Sequence, residues 1–308
     1  MVIVDRGAPT WNRGFGVKDT ASLEPITSDT IFTACSLTKP VFAYFVMKLS
    51  ERGVLNLDTP LTKFSSERYL ENDPRLDLIT ARHVLSHTTG FQNWREEDQQ
   101  PLSIHFTPGE KFGYSGEGFS YLASVVTKLM GRPLETYMKT QILKPFGMSS
   151  TDYIWNERIG KRMAHPHDKS GRPREDRKRP NHESVARYGA AGDLMTTAVD
   201  YAKFLSEVIA PKPADGFRLT RETRDEMVRP QIKVPGREPI SWALGWTVFQ
   251  GENRDFVHHS GDDEGWHTFA IGCVANQSGY VAFTNGDGGA ELLKRILFFE
   301  STQKFLRA

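Results

Sequence analysis

Strand-like segments occur at both ends of this 308-residue chain and give way to helical patterns between about residues 60 and 235. Aromatic and β-branched residues bounded by turn formers mark the strand-like segments at 11–17, 31–33, 241–250, 256–260, 268–275 and 280–285. A sheet must bury at least one face against another layer. We therefore predict an α+β fold, in which an antiparallel β-sheet flanked by helices is built from both chain ends and a mainly helical region is inserted between them.

The inserted region predicts a two-domain organisation. Residues 1–60 and 236–308 are assigned to a discontinuous sheet domain and residues 61–235 to a mainly helical domain, with the active site between them. Apolar residues at helical spacing predict helices over 36–49, 117–130, 133–143, 197–209 and 291–306. Thr80 is a suitable cap for a further short helix, and Gly131 a suitable helix stop.

Charge and hydropathy exclude several classes of function. Lys and Arg number 39 against 38 Asp and Glu, so no overall field would attract nucleic acid. No apolar run reaches the length of a membrane span. The first seven residues lack the basic head and apolar core of a signal peptide, so the chain as given is expected in the cytoplasm. A trimmed N-terminus would leave a periplasmic or secreted location open.

The segment Ser36-Leu-Thr-Lys39 opens a predicted helix and is a candidate nucleophile site. A serine hydroxyl is a weak nucleophile until a base lies within hydrogen-bond reach. Spacing of three on a helix places Lys39 on the same face as Ser36, and burial would lower its pKa so that it can accept a proton. A motif of four residues is weak alone, because a chain of this length contains about one by chance.

Two further segments give that motif its weight. Tyr114-Ser-Gly116 precedes a predicted helix, and His259-Ser260-Gly261 ends a predicted strand. Together the three segments resemble, in order and spacing, the motifs of the serine β-lactamase and penicillin-binding protein superfamily, in particular class C β-lactamases, DD-peptidases and family VIII esterases. The segments His83–Gly90 and Ala191–Thr197 also resemble that family, and the similarity is evident from about residue 11 onward.

The resemblance implies roles for individual residues. Ser36 would be the nucleophile, while Lys39 and Tyr114 would share the acid and base work in an order that the sequence leaves open. His259 would bind a substrate carboxylate or tune Tyr114. The backbone N–H groups of Ser36 and Asp262 would form the oxyanion hole.

Substrate-binding roles are implied for Gly116, Ser260, Gly261 and Trp266. Many relatives carry asparagine at the position of Gly116, where it grips a substrate amide, so its loss favours esters. The acidic run that begins at Asp262 would favour a cationic substrate, or is a solvated turn. Trp266 would line the pocket, or packs beneath a strand.

The predicted function is hydrolysis of an ester or amide through an acyl-enzyme, as in a β-lactamase-like esterase. The alternatives are a β-lactamase, a D-alanyl-D-alanine carboxypeptidase or D-aminopeptidase, and a weakly catalytic penicillin-binding or sensor protein. The expected substrates are small esters, β-lactams or D-amino-acid amides. No cofactor or metal is predicted, since His83 and His87 lack the intervening glutamate of a zinc-protease helix. The oligomeric state is left open.

Overall fold

A computed structural model describes residues 1–95, 101–175, 179–251 and 254–298. Its strands are β1 (Val2–Asp5), β2 (Ala8–Asn12), β3 (Val17–Asp19), β4 (Glu24–Pro25), β5 (Phe32–Thr33), β6 (Met195–Thr196), β7 (Ile232–Lys233), β8 (Ile240–Trp242), β9 (Thr247–Gly251), β10 (Arg254–Asp263), β11 (Trp266–Cys273) and β12 (Ser278–Thr284). Its α-helices are α1 (Thr38–Glu51), α2 (Ala81–Leu85), α3 (Gly116–Met130), α4 (Leu134–Met138), α5 (Glu157–Gly160), α6 (His182–Tyr188), α7 (Ala198–Ile209), α8 (Arg221–Val228) and α9 (Gly289–Phe298).

The main sheet is antiparallel and draws on both ends of the chain, as predicted. Its eight strands lie in the order β2-β1-β12-β11-β10-β9-β8-β7. Val2 pairs with Val281, so the N-terminal strand closes onto the last one. The strands that follow the helical region begin with β7 at Ile232, whereas the C-terminal part of the sheet domain was predicted to start at residue 236.

Alternating side chains divide the sheet into two apolar faces. Phe269 and Tyr280 pack with Leu293 of α9 on one face, while Ala270 and Val281 belong to the larger core on the other. Helix α7 covers that second face, since the glycines of β11 and β12 contact its side chains. The described part of the closing helix ends at Phe298, and the predicted continuation to Leu306 lies outside the described residues.

Helix α1 runs through the centre of the molecule. Every residue from Thr38 to Leu49 is buried, which is expected of a helix packed on all sides. The predicted 133–143 helix is instead the short α4 followed by a π-helical segment, Lys139–Leu143. Within the described ranges, no helix has both the length and the apolar character needed to cross a membrane.

The main sheet leaves an opening beside β10. Strand β9 pairs with β10 only as far as His258. Beyond that point the turn Cys35–Leu37, which leads into α1, lies against β10. The three sequence motifs that contain Ser36, Tyr114 and His259 meet in this opening.

Candidate active site

Ser36, the predicted nucleophile, lies in a tight turn between β5 and α1. Cys35 adopts a left-handed backbone conformation (φ 50°), which is rare for a residue other than glycine and which the surrounding contacts must hold in place. The Thr38 hydroxyl helps to hold it by donating to the carbonyl of Cys35 at 2.7 Å. The turn is thereby fixed before the helix begins.

Lys39 lies within hydrogen-bond reach of the nucleophile. Its Nζ is 3.1 Å from Ser36 Oγ and donates to the carbonyl of Ala191 at 2.9 Å. The side chain is only 1% exposed, and its Nζ lies over the ring of Tyr114 at 5.0 Å from the centroid. Burial lowers the pKa of Lys39 from its ordinary 10.5 to about 7. A substantial fraction of Lys39 is therefore neutral at neutral pH and able to accept a proton.

Tyr114 immediately precedes α3, and its side chain is held in an aromatic enclosure. Its ring lies 4.1 Å from that of His87 and 5.6 Å from that of Trp242. Burial raises the pKa of Tyr114, although a hydrogen bond with Ser36 opposes that rise. The phenol thus keeps its proton at neutral pH, which makes it a better proton donor than a base.

His259 presents a neutral imidazole to the site. Its Nδ1 is 2.6 Å from the carbonyl of Ser260, which can only accept, so Nδ1 carries the proton. Burial, and next the nearby charge of Lys39, lower the pKa of His259 to about 3. Its Nε2 is buried without a hydrogen-bond partner among the described residues. A neutral ring offers no charge to a carboxylate, so this geometry favours an influence on Tyr114, whose ring centroid lies 6.4 Å away.

Gly261 allows the third motif to lie against the nucleophile turn. A Cβ at this position would come within 2.5 Å of the Ala34 carbonyl oxygen and 2.9 Å of Cys35 Cβ. Only glycine permits that approach. Ser260 is exposed, and its carbonyl serves His259.

Ser36 and Asp262 border one cleft of about 460 Å³. The oxyanion-hole role of their backbone N–H groups remains a prediction, and their shared position in the cleft is compatible with it. The residues that line the cleft are Cys35, Ser36, Trp94, Arg95, Arg179, Pro180, Ser184, Tyr188, Ala191, Gly192, Asp193, Asp262 and Asp263.

Comparison with known proteins identifies the family. The model of the family described as Beta-lactamase matches residues 1–298. The chain belongs to the β-lactamase family. The match begins at residue 1 rather than at about residue 11, so it includes β1 and β2, which the sequence resemblance left out.

Among its relatives, Penicillin-binding protein 4* of Bacillus subtilis is 24% identical over 96% of this chain and 70% of its own length. Esterase EstB of Burkholderia gladioli is 29% identical, over 50% of this chain and 46% of its own length. The crystal structure of a β-lactamase/D-alanine carboxypeptidase from Pseudomonas syringae has a TM-score of 0.81 at 18% identity, covering 97% of this chain and 92% of that one. At that identity the structural likeness shows the shared fold.

This β-lactamase-family chain fills the space beside Gly116 with a tryptophan that its sequence did not single out. A Cβ at position 116 would lie 2.3 Å from Cζ2 of Trp94. Gly116 is therefore the only residue compatible with the indole where it lies. The space that a relative's asparagine would enter is occupied by Trp94.

The acidic turn and Trp266 have structural partners. Asp262 Oδ1 is 2.8 Å from His267 Nδ1, and Glu264 pairs with Arg174 at 3.0 Å. Arg174 offsets the charge of Glu264, whereas Asp262 and Asp263 both line the cleft, so a cationic substrate and a solvated turn both stay predictions. Trp266 is 2% exposed and packs edge-on against Phe32, so the structure places it in the core and not among the lining residues of the cleft.

His87 is a second site residue whose role the sequence did not indicate. Its Nδ1 accepts from the Ser115 backbone N–H at 3.0 Å, so Nε2 carries the proton when the ring is neutral. Burial, followed by the charge of Lys39, holds the pKa of His87 well below its usual range. The ring therefore stacks on Tyr114 as a neutral group.

Within the described residues, no group of three or more His, Cys, Asp and Glu is arranged to hold a metal ion.

Proposed function

We propose that this chain is a serine hydrolase that cleaves esters through an acyl-enzyme formed on Ser36. The observation that carries the proposal is the 3.1 Å approach of a buried lysine to the serine hydroxyl, with a pKa of about 7 for that lysine. A neutral amine at this distance can remove the hydroxyl proton as the oxygen attacks.

The geometry supports different roles for the two candidate bases, Lys39 and Tyr114. Neutral Lys39 takes the Ser36 proton while Oγ attacks the ester carbonyl. The tetrahedral intermediate collapses, the alcohol leaves with a proton delivered through Tyr114, and Lys39 restores that proton. Water then attacks the acyl-enzyme and passes a proton to Lys39, and Lys39 returns that proton to Ser36 Oγ as the bond to Oγ breaks and the acid is released.

Two observations favour esters over β-lactams and peptides. Trp94 occupies the space of an amide-gripping side chain at position 116. His259 is neutral, so it lacks the charge that would attract the carboxylate of a β-lactam or of a C-terminal D-alanine. The partial match to a relative named an esterase agrees with this preference.

Three substrates test the proposal: p-nitrophenyl acetate, a chromogenic cephalosporin and a peptide ending in D-Ala-D-Ala. We expect turnover of the ester with an acetyl adduct on Ser36 in intact-mass spectra, and slower or no turnover of the other two. Ser36→Ala should lower kcat/KM by roughly 10³-fold or more. Ser50→Ala, near the other end of α1, is the control and should leave the rate unchanged.

Other outcomes would contradict the proposal in distinct ways. An adduct without turnover would indicate a sensor that acylates but does not deacylate. Faster hydrolysis of the cephalosporin or the peptide would indicate a β-lactamase or a carboxypeptidase. Wild-type rates in Ser36→Ala would remove Ser36 from the mechanism.

A further inference from the structure

Trp94 occupies a fixed place in the cleft next to the second catalytic motif. A Cβ at Gly116 would lie 2.3 Å from Cζ2 and 2.5 Å from Cη2 of the indole. These distances are far below van der Waals contact, so the six-membered ring of Trp94 fills the volume that any side chain at 116 would need.

The segment that carries Trp94 is tied to the start of α3 on both sides of the residue. Before it, Asn93 accepts from the Gly116 backbone N–H through Oδ1 at 2.9 Å and from the Glu117 N–H through its carbonyl at 2.9 Å. After it, Arg95 forms a two-point ion pair with the buried Glu117 carboxylate, with Nε 3.0 Å from Oε1 and Nη2 2.9 Å from Oε2. The indole is therefore presented by a backbone anchored to a helix.

Trp94 and Tyr188 form one aromatic surface in the cleft that contains Ser36. Their rings meet edge to face, with centroids 5.3 Å apart and planes at 72°. Arg95, at the same border, is paired with Glu117 and so is not available to attract an anion. The guanidinium of Arg187 lies over the Tyr188 ring, 5.0 Å from its centroid, and the aromatic surface that Trp94 and Tyr188 form beside it suits an aryl group, because aromatic rings attract one another beyond the effect of burying apolar area.

We infer that Trp94 and Tyr188 form a subsite that binds an aryl group of the ester substrate and makes Trp94 a specificity-determining residue. The inference rests on the proposed ester hydrolysis at Ser36 and names its substrate class. The aryl group can come from the acid or from the alcohol of the ester. Ethyl phenylacetate and benzyl acetate distinguish these two sources, with ethyl acetate as the reference.

Hydrolysis of the three esters is followed by pH-stat in the wild type and in Trp94→Ala. We expect the wild type to prefer at least one aryl ester over ethyl acetate by about tenfold in kcat/KM. Trp94→Ala should remove that preference, because kcat/KM should fall by about tenfold more on the preferred aryl ester than on ethyl acetate. Trp11→Ala, at a tryptophan that is 41% exposed on β2, is the matched control and should keep the preference.

A wild type with no preference for either aryl ester overturns the inference, as does an equal loss on all three esters in Trp94→Ala. If Trp94→Ala does not fold, Trp94→Leu keeps apolar bulk without the aromatic face and should still lose the preference. Hydrolysis of ethyl acetate with an adduct on Ser36, but without aryl selectivity, would refute this inference alone. No hydrolysis and no adduct would refute the proposed function.

A second pair of variants tests whether the indole of Trp94 occupies the space beside position 116. Gly116→Asn should unfold at a markedly lower temperature than the wild type, because its side chain and the indole require the same space. Trp94→Ala combined with Gly116→Asn should recover most of that loss. Additive effects of the two substitutions would show that the indole does not occupy the space beside position 116.

Discussion

The buried Lys39 should lower the free energy of unfolding at neutral pH. The variant Lys39→Met should therefore be more stable than the wild type. The lysine is almost fully buried, and burial lowers its pKa from 10.5 to about 7. In the unfolded chain the same lysine stays protonated up to about pH 10.4. Folding between these two pH values therefore requires the loss of a proton, which costs free energy.

The size of the cost follows from the pKa difference. At 1.36 kcal/mol for each pH unit, the fall from 10.5 to about 7 corresponds to ~5 kcal/mol as an upper bound. Methionine has a similar volume and no proton to lose, but it gives up the contacts to Ser36 Oγ and the Ala191 carbonyl. Each such contact contributes about 1 kcal/mol. We expect Lys39→Met to raise the free energy of unfolding by about 3 kcal/mol at pH 7.

Thermal unfolding by circular dichroism between pH 6 and pH 10 measures this difference. For a chain of this length, about 3 kcal/mol corresponds to a Tm roughly 5 °C above that of the wild type. The sign of the pH dependence is specific. Since the wild type regains stability as pH rises above 7, the gap between the two proteins should be constant below pH 7, should close near pH 9, where the remaining cost of deprotonation falls to ~2 kcal/mol, and should be reversed at pH 10.

A second buried lysine on the same helix is the control. Lys48 is 5% exposed, and its Nζ forms an ion pair with Glu51. Lys48→Met should destabilise the protein by about 1–3 kcal/mol, because Glu51 loses its partner. A Lys39→Met variant that is less stable than the wild type at pH 7, or a gap that does not change between pH 7 and pH 10, would refute the reasoning.

Three further predictions concern the catalytic geometry. Wild-type kcat/KM should rise about tenfold between pH 6 and pH 8, because Lys39 loses its proton near pH 7. A kcat/KM that still rises beyond pH 9 would assign the role of base to Tyr114. Tyr114→Phe should lower kcat/KM on ethyl acetate by about 10²-fold or more. The loss should be smaller on p-nitrophenyl acetate, because its leaving group needs no proton, and equal losses would argue against proton delivery by the phenol. Gly261→Ala should abolish most activity, because its Cβ would come within 2.5 Å of the Ala34 carbonyl oxygen. Gly216→Ala, which has open space around its Cβ and lies outside the cleft lining, should keep wild-type rates, and equal effects of the two in the same ester assay would contradict this account.

Local signals in the sequence were sufficient for much of the fold. Thr80 caps α2 and Gly131 ends α3 in a left-handed conformation, as their residue types indicated. The four proposed catalytic residues could be selected because each belongs to a short motif, and the structure brings those motifs together. Helix α6 was not predicted, although Asn181 and Ser184 form a capping box that could have revealed it among the surrounding prolines and arginines.

Other properties of the site depend on contacts between distant segments. The position of Trp94 beside Gly116 follows from hydrogen bonds made by an irregular loop, and no periodicity predicts such contacts. The neutral state of His259 follows from burial and from Lys39, which lies far away in the sequence. The sequence therefore predicted which residues meet more reliably than it predicted their protonation or the shape of the cleft around them.

The pairing of Val2 with Val281 has a consequence for the order of events during synthesis. Strand β1 leaves the ribosome long before its partner strand β12 is made, and such non-local closure is slow. Ser36 and Lys39 are also made early. Strand β10, which carries His259 and Gly261 and packs against the turn that contains Ser36, is made more than two hundred residues later. A nascent chain thus contains Ser36 long before the strand that its turn packs against, and the onset of the proposed ester hydrolysis would report the moment at which the sheet closes.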